Sequence, residues 1–442
     1  MNVVVVGGGL AGLTAAWRLR QRGLDVRVLE ASERVGGCIA SVRQGPFLFE
    51  AGPNSMRGGS LALESLVQGL DLEAARVCSN PVERHAWIWR HGAQHPLPSS
   101  PPTLLRSKLL STGGKLRILA EPFIPRWRRG TNASLGEFLA QRLGHEAVAA
   151  LVDPFTSGVF AGDPALIGLD AFKLIEVAAE KGSLIGALAT ARPQSVGGDK
   201  RRTVRSTTMR DGLETLVHAL ADAIGRERIS TSAVVTSLTR SAPFTLGLAS
   251  GETVTADRVV LAIPPGPLAR LLGEPEIAIP CASVATVSLA FHKADFTREP
   301  DGFGILAASD SPLGEVLGVI YSSSVFPGRA PEDHVVLTCV MGGVRFPETV
   351  RRGDDELVAS VCAVVERLFG ASGKRPALAP VASHVHRWID GIPQSPPGFR
   401  ERVKALRAAL PAGLVLAGGG VDGPGLDPVV VSALTAADAV SS

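Results

Sequence analysis

The sequence predicts an α/β protein in three parts, which are a parallel-sheet domain, a domain with a mixed or antiparallel sheet, and a helical domain. Three observations support this fold class. A strand-like run of valines leads into a glycine-rich turn at the N-terminus, residues 280–345 alternate apolar and polar side chains, and residues 84–142 are rich in basic residues and proline. Period-two alternation is typical of strands. The predicted boundaries are 1–83, 203–265 and 385–442 for the parallel-sheet domain, 84–202 for the helical domain and 266–384 for the second sheet.

The first thirty residues predict a strand, a turn, a helix and a second strand. Val3 to Val6 favour a strand that is covered on both faces. The glycines Gly7, Gly9 and Gly12 follow it in a G-x-G-x-x-G pattern, and Glu30 closes the second strand. In this Rossmann-like arrangement the glycines let a pyrophosphate approach the backbone, and the acid accepts hydrogen bonds from a ribose. A dinucleotide site is therefore predicted, and a glycine-rich turn without a ligand is the alternative.

A second glycine pair indicates which dinucleotide binds. Arg34 follows Glu30, and Gly36 and Gly37 come directly after. This pattern resembles the extended signature of flavoproteins with an FAD-binding domain of the glutathione-reductase type. Arg34 supplies a cation for a phosphate or a ribose edge. The alternative is an ordinary Gly-Gly turn beside a surface arginine.

Composition narrows the class of protein. The length of 442 residues suits two or three domains. The chain has 45 basic and 42 acidic residues, and the resulting net charge of +3 argues against a general nucleic-acid binder. The five cysteines are scattered and form no metal-binding spacing. We therefore expect reduced thiols in a cytoplasmic protein, with neither a disulfide nor a metal site. The N-terminal strand has no basic region, so we expect no signal peptide, and no apolar run is long enough to span a membrane.

Two internal stretches differ from the rest. Leu104 to Arg129 interleaves apolar side chains with seven basic residues. This composition favours attachment to anionic lipid, on the inner face of the cell membrane, with ordinary core helices as the alternative. Residues 195–206 combine glycine with charge and predict a mobile linker.

The whole chain resembles the protoporphyrinogen oxidase family, within the superfamily of FAD enzymes related to monoamine oxidase. The segments that carry the resemblance are FEAGPNSM, SGVFAGDPALIGLDAF, KGSLIGA, RDGLETLVHALA, VVLAIPP, DGFGILAA, YSSSVFPGRAP, RWIDGIPQ and the terminal GPGL. The resemblance implies FAD as cofactor and oxidation of protoporphyrinogen IX or coproporphyrinogen III. Since no Cys or His lies in a turn placed for a covalent link to the flavin, we expect non-covalent FAD. It further implies hydride transfer to flavin N5 and reoxidation by dioxygen, with release of hydrogen peroxide.

The resemblance implies cofactor contacts beyond the glycine motif. Val235 matches a valine whose backbone holds the adenine, while Glu30 holds the ribose. Gly52 is placed beside the flavin. The remaining implied contacts are Trp388, Gly418, Gly425 and Leu426.

The resemblance also implies a substrate cavity. Asn54 borders it and Gly158 orients the reacting carbon, whereas the flavin itself performs the chemistry. Leu306 and Ile320 match apolar residues that sandwich the tetrapyrrole, and Val340 stands at a phenyl position. Ordinary core packing is the alternative for each apolar position.

The sequence departs from the family pattern at several positions. His95 stands where some members have an arginine that pairs with a propionate, and Arg90 is a second basic residue nearby. Pro424 and Pro428 flank the terminal turn, and each removes an N–H group. Two other functions of this chain therefore stay open. It could be another flavin enzyme of the superfamily that oxidises an amine or a polyene, or a protein that binds a tetrapyrrole without turnover. The choice of porphyrinogen, the electron acceptor and assembly into a homodimer are also open.

Overall fold

The computed structural model describes residues 1–127, 132–190, 205–371 and 378–441. The predicted linker at 195–206 therefore lies outside the described residues, except for its last two positions. The strands are β1 (Asn2–Val6), β2 (Asp25–Leu29), β3 (Ser41–Gln44), β4 (Phe47–Glu50), β5 (Arg76–Cys78), β6 (Ala86–Arg90), β7 (Ala93–Pro96), β8 (Thr207–Met209), β9 (Ile229–Ser230), β10 (Val235–Leu238), β11 (Phe244–Leu248), β12 (Thr253–Ala256), β13 (Arg258–Leu261), β14 (Cys281–His292), β15 (Gly304–Ala307), β16 (Val316–Ile320), β17 (His334–Gly342), β18 (Ala382–Pro393) and β19 (Leu414–Leu416).

The helices are α1 (Leu10–Gln21), α2 (Leu61–Gly69), α3 (Pro101–Arg106), α4 (Thr112–Leu119), α5 (Leu135–Leu143), α6 (His145–Ala147), α7 (Asp153–Phe160), α8 (Lys173–Lys181), α9 (Leu184–Thr190), α10 (Glu214–Ile224), α11 (Pro265–Leu272), α12 (Ser322–Val325), α13 (Asp354–Phe369), α14 (Phe399–Ala409), α15 (Gly419–Asp422) and α16 (Leu426–Ser441). Short 3-10 turns and one π-turn connect some of them.

The N-terminal strand is the centre of a five-stranded parallel sheet with the order β19-β13-β1-β2-β9. Its four valines are buried because helices α1, α10 and α16 cover one face of the sheet, whereas the antiparallel strands β10 to β12 and helix α11 lie on the other. The strand predicted at VVLAIPP pairs with β1 in parallel as β13. This is the predicted Rossmann-like domain, and the predicted fold class is confirmed.

The second sheet has seven strands in the order β18-β14-β17-β16-β15-β6-β7. It is mixed, because β15 pairs in parallel with β6 whereas its other neighbouring pairs are antiparallel. One face packs on helix α13 through alternating apolar residues such as Leu289, Phe291 and Leu337. The opposite face is only partly covered, by the hairpin β3–β4 and by helix α7.

The structure draws the domain boundaries differently from the sequence prediction. Strands β6 and β7 were assigned to the helical domain but belong to the seven-stranded sheet, and the boundary placed at 385 falls inside β18. The SGVF segment forms the end of α7. Helices α3 to α9 form the helical part, which is built on two small cores.

A buried ion pair joins the β3–β4 hairpin to the loop before β17, beside the functional region. Glu50, at the end of β4, lies 2.8 Å from the guanidinium of Arg329 in the loop before β17. The Glu50 carboxylate also accepts hydrogen bonds from the Leu213 amide and the Ser41 hydroxyl, at 3.0 and 2.6 Å. Burial raises the pKa of Glu50, and the charge of Arg329 opposes that effect. The pair fixes the start of the loop that carries Gly52 and Asn54.

Candidate functional site

The glycine-rich turn leaves no room for side chains at three positions. Gly7 has a φ of +105°, and a Cβ on Gly12 would lie 1.8 Å from the Gly7 carbonyl oxygen, so α1 packs directly on the turn. A Cβ on Gly37 would lie 3.1 Å from the Cα of Gly9. The Gly36 amide donates to the Gly8 carbonyl at 2.8 Å. Two glycine-containing backbone segments thus meet at the start of α1 and form a cradle that fits a pyrophosphate.

Glu30 is placed where the sequence predicts a ribose contact. Its carboxylate accepts hydrogen bonds from the Gly8 amide at 2.5 Å and from the Ser32 amide at 2.8 Å. The Glu30 carbonyl accepts from the Ala233 amide, two residues before Val235. The structure therefore brings Glu30 and Val235 to the same end of the glycine turn, as adenosine binding requires.

Arg34 uses its guanidinium within the protein. It donates to the carbonyl oxygens of Val35, Ile39 and Gly37, at 3.0, 3.0 and 2.7 Å, and lies 3.8 Å from Glu214. These bonds hold the loop that contains Gly36 and Gly37. The direct contact of Arg34 with a phosphate or a ribose stays a prediction, whereas the structure shows its role in shaping the cradle.

The other predicted cofactor residues continue this cleft. The Trp388 indole donates to the Ala51 carbonyl at 2.7 Å, and a Cβ on Gly52 would lie 3.6 Å from the indole ring. Gly418, with a φ of +102°, lies against Ala11 of α1.

Gly425, with a φ of +117°, and Leu426 stand at the start of α16. Leu426 packs against the apolar core around α1. Pro428 lies in the first turn of α16, where the lack of an N–H group is tolerated. This end of the cleft is therefore formed mainly by backbone and by one aromatic ring.

The predicted substrate residues lie together on the partly covered face of the seven-stranded sheet. A Cβ on Gly158 would lie 2.3 Å from Leu306 Cδ2, so α7 passes directly over β15. Ile320 pairs with Gly304, and Val340 pairs with Gly318, on the two strands beyond. Leu306, Ile320 and Val340 are half-buried rather than enclosed in a core. The face is apolar, and this suits a large hydrophobic substrate.

A row of polar side chains, which was not predicted from the sequence, crosses the same face. Ser322 donates to the Asn54 side-chain oxygen at 3.3 Å and lies 2.9 Å from the Thr338 hydroxyl. Thr338 lies 3.2 Å from Ser288. The cross-strand neighbour of Ser288 is His384, and His386 follows two residues later on β18. Polar residues at alternate positions of otherwise apolar strands were the available signal.

The basic residues proposed for propionate recognition are placed differently. Arg90 is buried and forms a two-point ion pair with Asp310 at 2.6 to 3.2 Å, and it also donates to the Leu109 carbonyl. Arg90 is therefore structural, and the prediction that it recognises an anion is wrong. His95 lies on β7 with its Nε2 3.1 Å from the Arg90 carbonyl. Strand β7 is four strands away from β17, which carries Val340. His95 and Val340 are therefore about 19 Å apart.

The described residues contain one group with metal-ligand geometry. The side chains of His292, Asp333 and His334 meet where β14 and β17 pair at their ends, with His334 Nδ1 2.7 Å from Asp333 Oδ1. The hydrogen bond between His334 and Asp333 lowers the pKa of Asp333. The absence of a metal site stays a prediction.

The chain is similar to known flavin enzymes over nearly its whole length. Residues 10–441 match the family described as flavin containing amine oxidoreductase. Protoporphyrinogen oxidase 2 of Arabidopsis thaliana is 30% identical over 100% of this chain and 94% of its own. Coproporphyrinogen III oxidase of Bacillus subtilis is 28% identical, covering 96% of this chain and 94% of its own. A crystal structure from Exiguobacterium sp. 255-15, provisionally assigned as a protoporphyrinogen oxidase, superposes with a TM-score of 0.83 at 27% identity and covers 99% of this chain and 98% of the other.

Proposed function

The chain belongs to the family of flavin containing amine oxidoreductases, and on this premise we propose that it oxidises a porphyrinogen to the corresponding porphyrin. Its cofactor is FAD, and the glycine cradle, Glu30 and the cleft beside Trp388 fit that molecule. The observation that carries the substrate proposal is the half-buried apolar face with Leu306, Ile320 and Val340, over which α7 approaches at Gly158.

The residues on this face suit a reaction in which the protein mainly orients its substrate. When bound, FAD supplies the acceptor for a hydride. The apolar side chains hold a macrocycle flat against the sheet and exclude water, and Gly158 lets α7 pack closely on Leu306, which fixes the position of that side chain. Each two-electron oxidation of a porphyrinogen removes one hydride and one proton, so no nucleophile is required. Three such oxidations yield the aromatic product, and dioxygen is the proposed final acceptor.

The proposal is tested by anaerobic mixing of the purified flavoprotein with protoporphyrinogen IX and, separately, with coproporphyrinogen III. Bleaching of the flavin absorbance by either compound, followed by recovery with air, is the expected result. The faster of the two bleaching reactions identifies the preferred substrate. If only an amine bleaches the flavin, or if neither porphyrinogen does, the proposal is wrong.

An amine substrate is disfavoured by the position of the chain's single tyrosine. Amine oxidases of this superfamily typically carry a pair of aromatic side chains that faces the flavin. Tyr321 is buried and packs on Phe369 of α13, with ring centroids 5.4 Å apart, on the opposite face of the seven-stranded sheet. It is therefore unavailable for such a pair.

We also propose that the protein is cytoplasmic and attaches to the inner face of the cell membrane through the helical part. Among the described residues, no helix is both long and apolar enough to cross a bilayer. The side chains of Leu116, Leu119 and Phe123 are 61, 51 and 87% exposed. Exposed apolar side chains beside basic residues suit an anionic lipid surface.

The attachment surface is smaller than the sequence suggested. Leu109, Leu110 and Ile118 are buried in a core of the helical part, and Trp127 packs on Phe138. Arg117 donates to the carbonyl oxygens at the end of α5. Arg128 and Arg129 lie outside the described residues.

Flotation with anionic vesicles at low and high salt tests the attachment. We expect the wild type to float at low salt and Phe123→Glu to float several-fold less. The matched control is Leu61→Glu, since Leu61 is 69% exposed but lies on α2. If Phe123→Glu and the control both float like the wild type, this surface does not bind membrane.

A further inference from the structure

We propose that the hydroxyl groups of Ser322, Thr338 and Ser288, together with the imidazole of His384, form a proton path across the seven-stranded sheet. The path leads from the substrate face to the outer strand β18. It rests on the proposed function, because porphyrinogen oxidation is what releases the protons.

The hydroxyl groups form a continuous chain. Ser322 Oγ lies 2.9 Å from Thr338 Oγ1, which lies 3.2 Å from Ser288 Oγ, and in both contacts either oxygen can be the donor. All three side chains are buried, between strands whose other inward residues are largely apolar. A hydroxyl group donates one proton and accepts others, so such a chain can pass a proton and then restore its original direction.

His384 continues the chain at its outer end. It is the cross-strand partner of Ser288, and directly opposed residues have Cβ atoms about 4.5–5.5 Å apart. Its Nε2 is buried, and no hydrogen-bond partner for it is found among the described residues. A buried polar atom without a partner is unusual and requires an explanation. Transient hydrogen bonding to Ser288 supplies one.

The position of β18 provides the exit. This strand pairs with β14 on one side and is the edge of the sheet on the other. The His384 ring stacks on Phe49, with centroids 6.5 Å apart, and the His386 ring follows at 6.2 Å. His384 itself is half-buried and not enclosed. A proton on His384 is therefore close to solvent.

Burial favours the neutral form of both imidazoles, which can then accept a proton. Burial lowers the pKa of His384, and the more distant Asp354 opposes this effect. Burial also lowers the pKa of His386, and the charges of His384, Arg34 and Arg387 act in the same direction. Both rings are thus available as proton acceptors near neutral pH.

In each two-electron oxidation a meso C–H bond breaks and its hydrogen leaves as hydride, while the macrocycle also loses one proton. Over the three oxidations four meso C–H bonds and two N–H bonds are lost, so two of the three protons come from pyrrole N–H groups and one comes from a meso carbon. Ser322 receives the proton lost in each oxidation and passes its own to Thr338, which passes one to Ser288 and so to His384. His384 then releases a proton to solvent, and each hydroxyl is restored.

The test uses the FAD-loaded full-length enzyme with Thr338→Val, which keeps the side-chain shape and removes the hydroxyl. We expect flavin bleaching by the porphyrinogen to slow by about tenfold or more, a modest part of what general acid–base steps contribute. His384→Phe keeps the ring stacking on Phe49 and should slow bleaching similarly. Both variants should change the pH dependence and the solvent deuterium isotope effect of bleaching, which a merely structural role would not do.

Two further variants serve as controls. Thr338→Ser retains a hydroxyl and should restore most of the rate. Thr349→Val removes another fully buried threonine hydroxyl, one without a hydrogen-bond partner among the described residues, and should leave the rate and the isotope effect unchanged. FAD absorbance and the thermal midpoint, measured for each variant, separate loss of cofactor or fold from loss of proton transfer.

The outcomes separate the two proposals. If the wild type is bleached and Thr338→Val and His384→Phe match it in rate, pH profile and isotope effect, the proton path is overturned and the proposed function stands. If the wild type is not bleached by either porphyrinogen, the proposed function fails and the path fails with it.

Discussion

The cofactor cleft and the substrate face are constructed differently. The cleft is made largely of backbone, where glycines such as Gly9 and Gly37 approach each other and a Cβ on Gly12 would overlap the Gly7 carbonyl. The substrate face is made of side chains carried by separate strands, and Leu306 and Val340 come together only because β15, β16 and β17 are neighbours. Substitutions should therefore abolish binding in the cleft but alter rate and affinity on the face.

Gly9→Leu should have the largest effect. Gly9 is the N-cap of α1, with extended backbone. Among the described residues outside its own helix and chain neighbours, a Cβ placed there would meet backbone atoms of Gly37, the nearest at 3.6 Å. A leucine side chain would occupy the approach of the pyrophosphate, so we expect the purified variant to contain no FAD.

The FAD content of Gly9→Leu is measured from the absorbance spectrum and from the flavin released by acid. Gly353→Leu is a suitable control, because Gly353 also caps a helix with negative φ and has open space around it. Normal FAD content in Gly9→Leu would contradict a backbone-made cleft. Flavin that stays on the acid precipitate would contradict non-covalent binding.

Gly158→Val tests the substrate face and should have the second-largest effect. A Cβ at Gly158 would lie 2.3 Å from Leu306, so the leucine must move or α7 must shift away from β15. We expect kcat/KM for the porphyrinogen to fall by at least about tenfold while FAD stays bound, since small misplacements of substrate are costly. Loss of FAD in this variant would show that the two regions are not separable.

His95→Ala should have a smaller effect. His95 lies at the far edge of the sheet from Val340, where only the periphery of a large substrate can reach it. We expect a KM raised a few-fold, because the variant lacks an imidazole N–H group that can hydrogen-bond to a carboxylate of the substrate. Steady-state kinetics over a range of pH measure this change, and a KM that is unchanged throughout would remove His95 from the site.

The same contrast explains how much could be predicted. The glycine motif, Glu30 and the strands around them are local in sequence, and their spacing alone determines the turn and its ligand. The resemblance to a family placed Gly158, Leu306, Ile320 and Val340, and the structure brings these four onto one face. Their roles in binding stay predictions.

The errors arose where a residue's role depends on distant partners. Arg90 was interpreted as an anion site because nothing in its own segment reveals Asp310, 220 positions away. For Arg34 the structure adds a role in shaping its own loop, through bonds to three carbonyls, and its contact with the ligand stays a prediction. The hydroxyl chain from Ser322 to Ser288 was missed because three separate strand or helix segments contribute one group each.

The smallest predicted effect concerns the pH dependence of folding stability. It again distinguishes the two regions, because the two histidines with a lowered pKa, His384 and His386, lie on the substrate face and not in the cofactor cleft. Burial lowers the pKa of His384 and His386 in the folded protein, whereas in the unfolded chain each histidine returns to about 6.5. Unfolded molecules therefore bind protons more readily, so this contribution to stability is complete above about pH 6.5 and is lost as the pH falls through the folded-state pKa.

His384→Phe lacks one of the two groups, so its thermal midpoint should fall less than that of the wild type between about pH 7.5 and about pH 5. Removal of the second group, in His384→Phe combined with His386→Phe, should flatten the dependence further, and scanning calorimetry of the three proteins with FAD in excess measures the slopes. Identical slopes would mean that both imidazoles are as well solvated in the folded protein as in the unfolded chain, which would also weaken the assignment of His384 as a neutral proton acceptor.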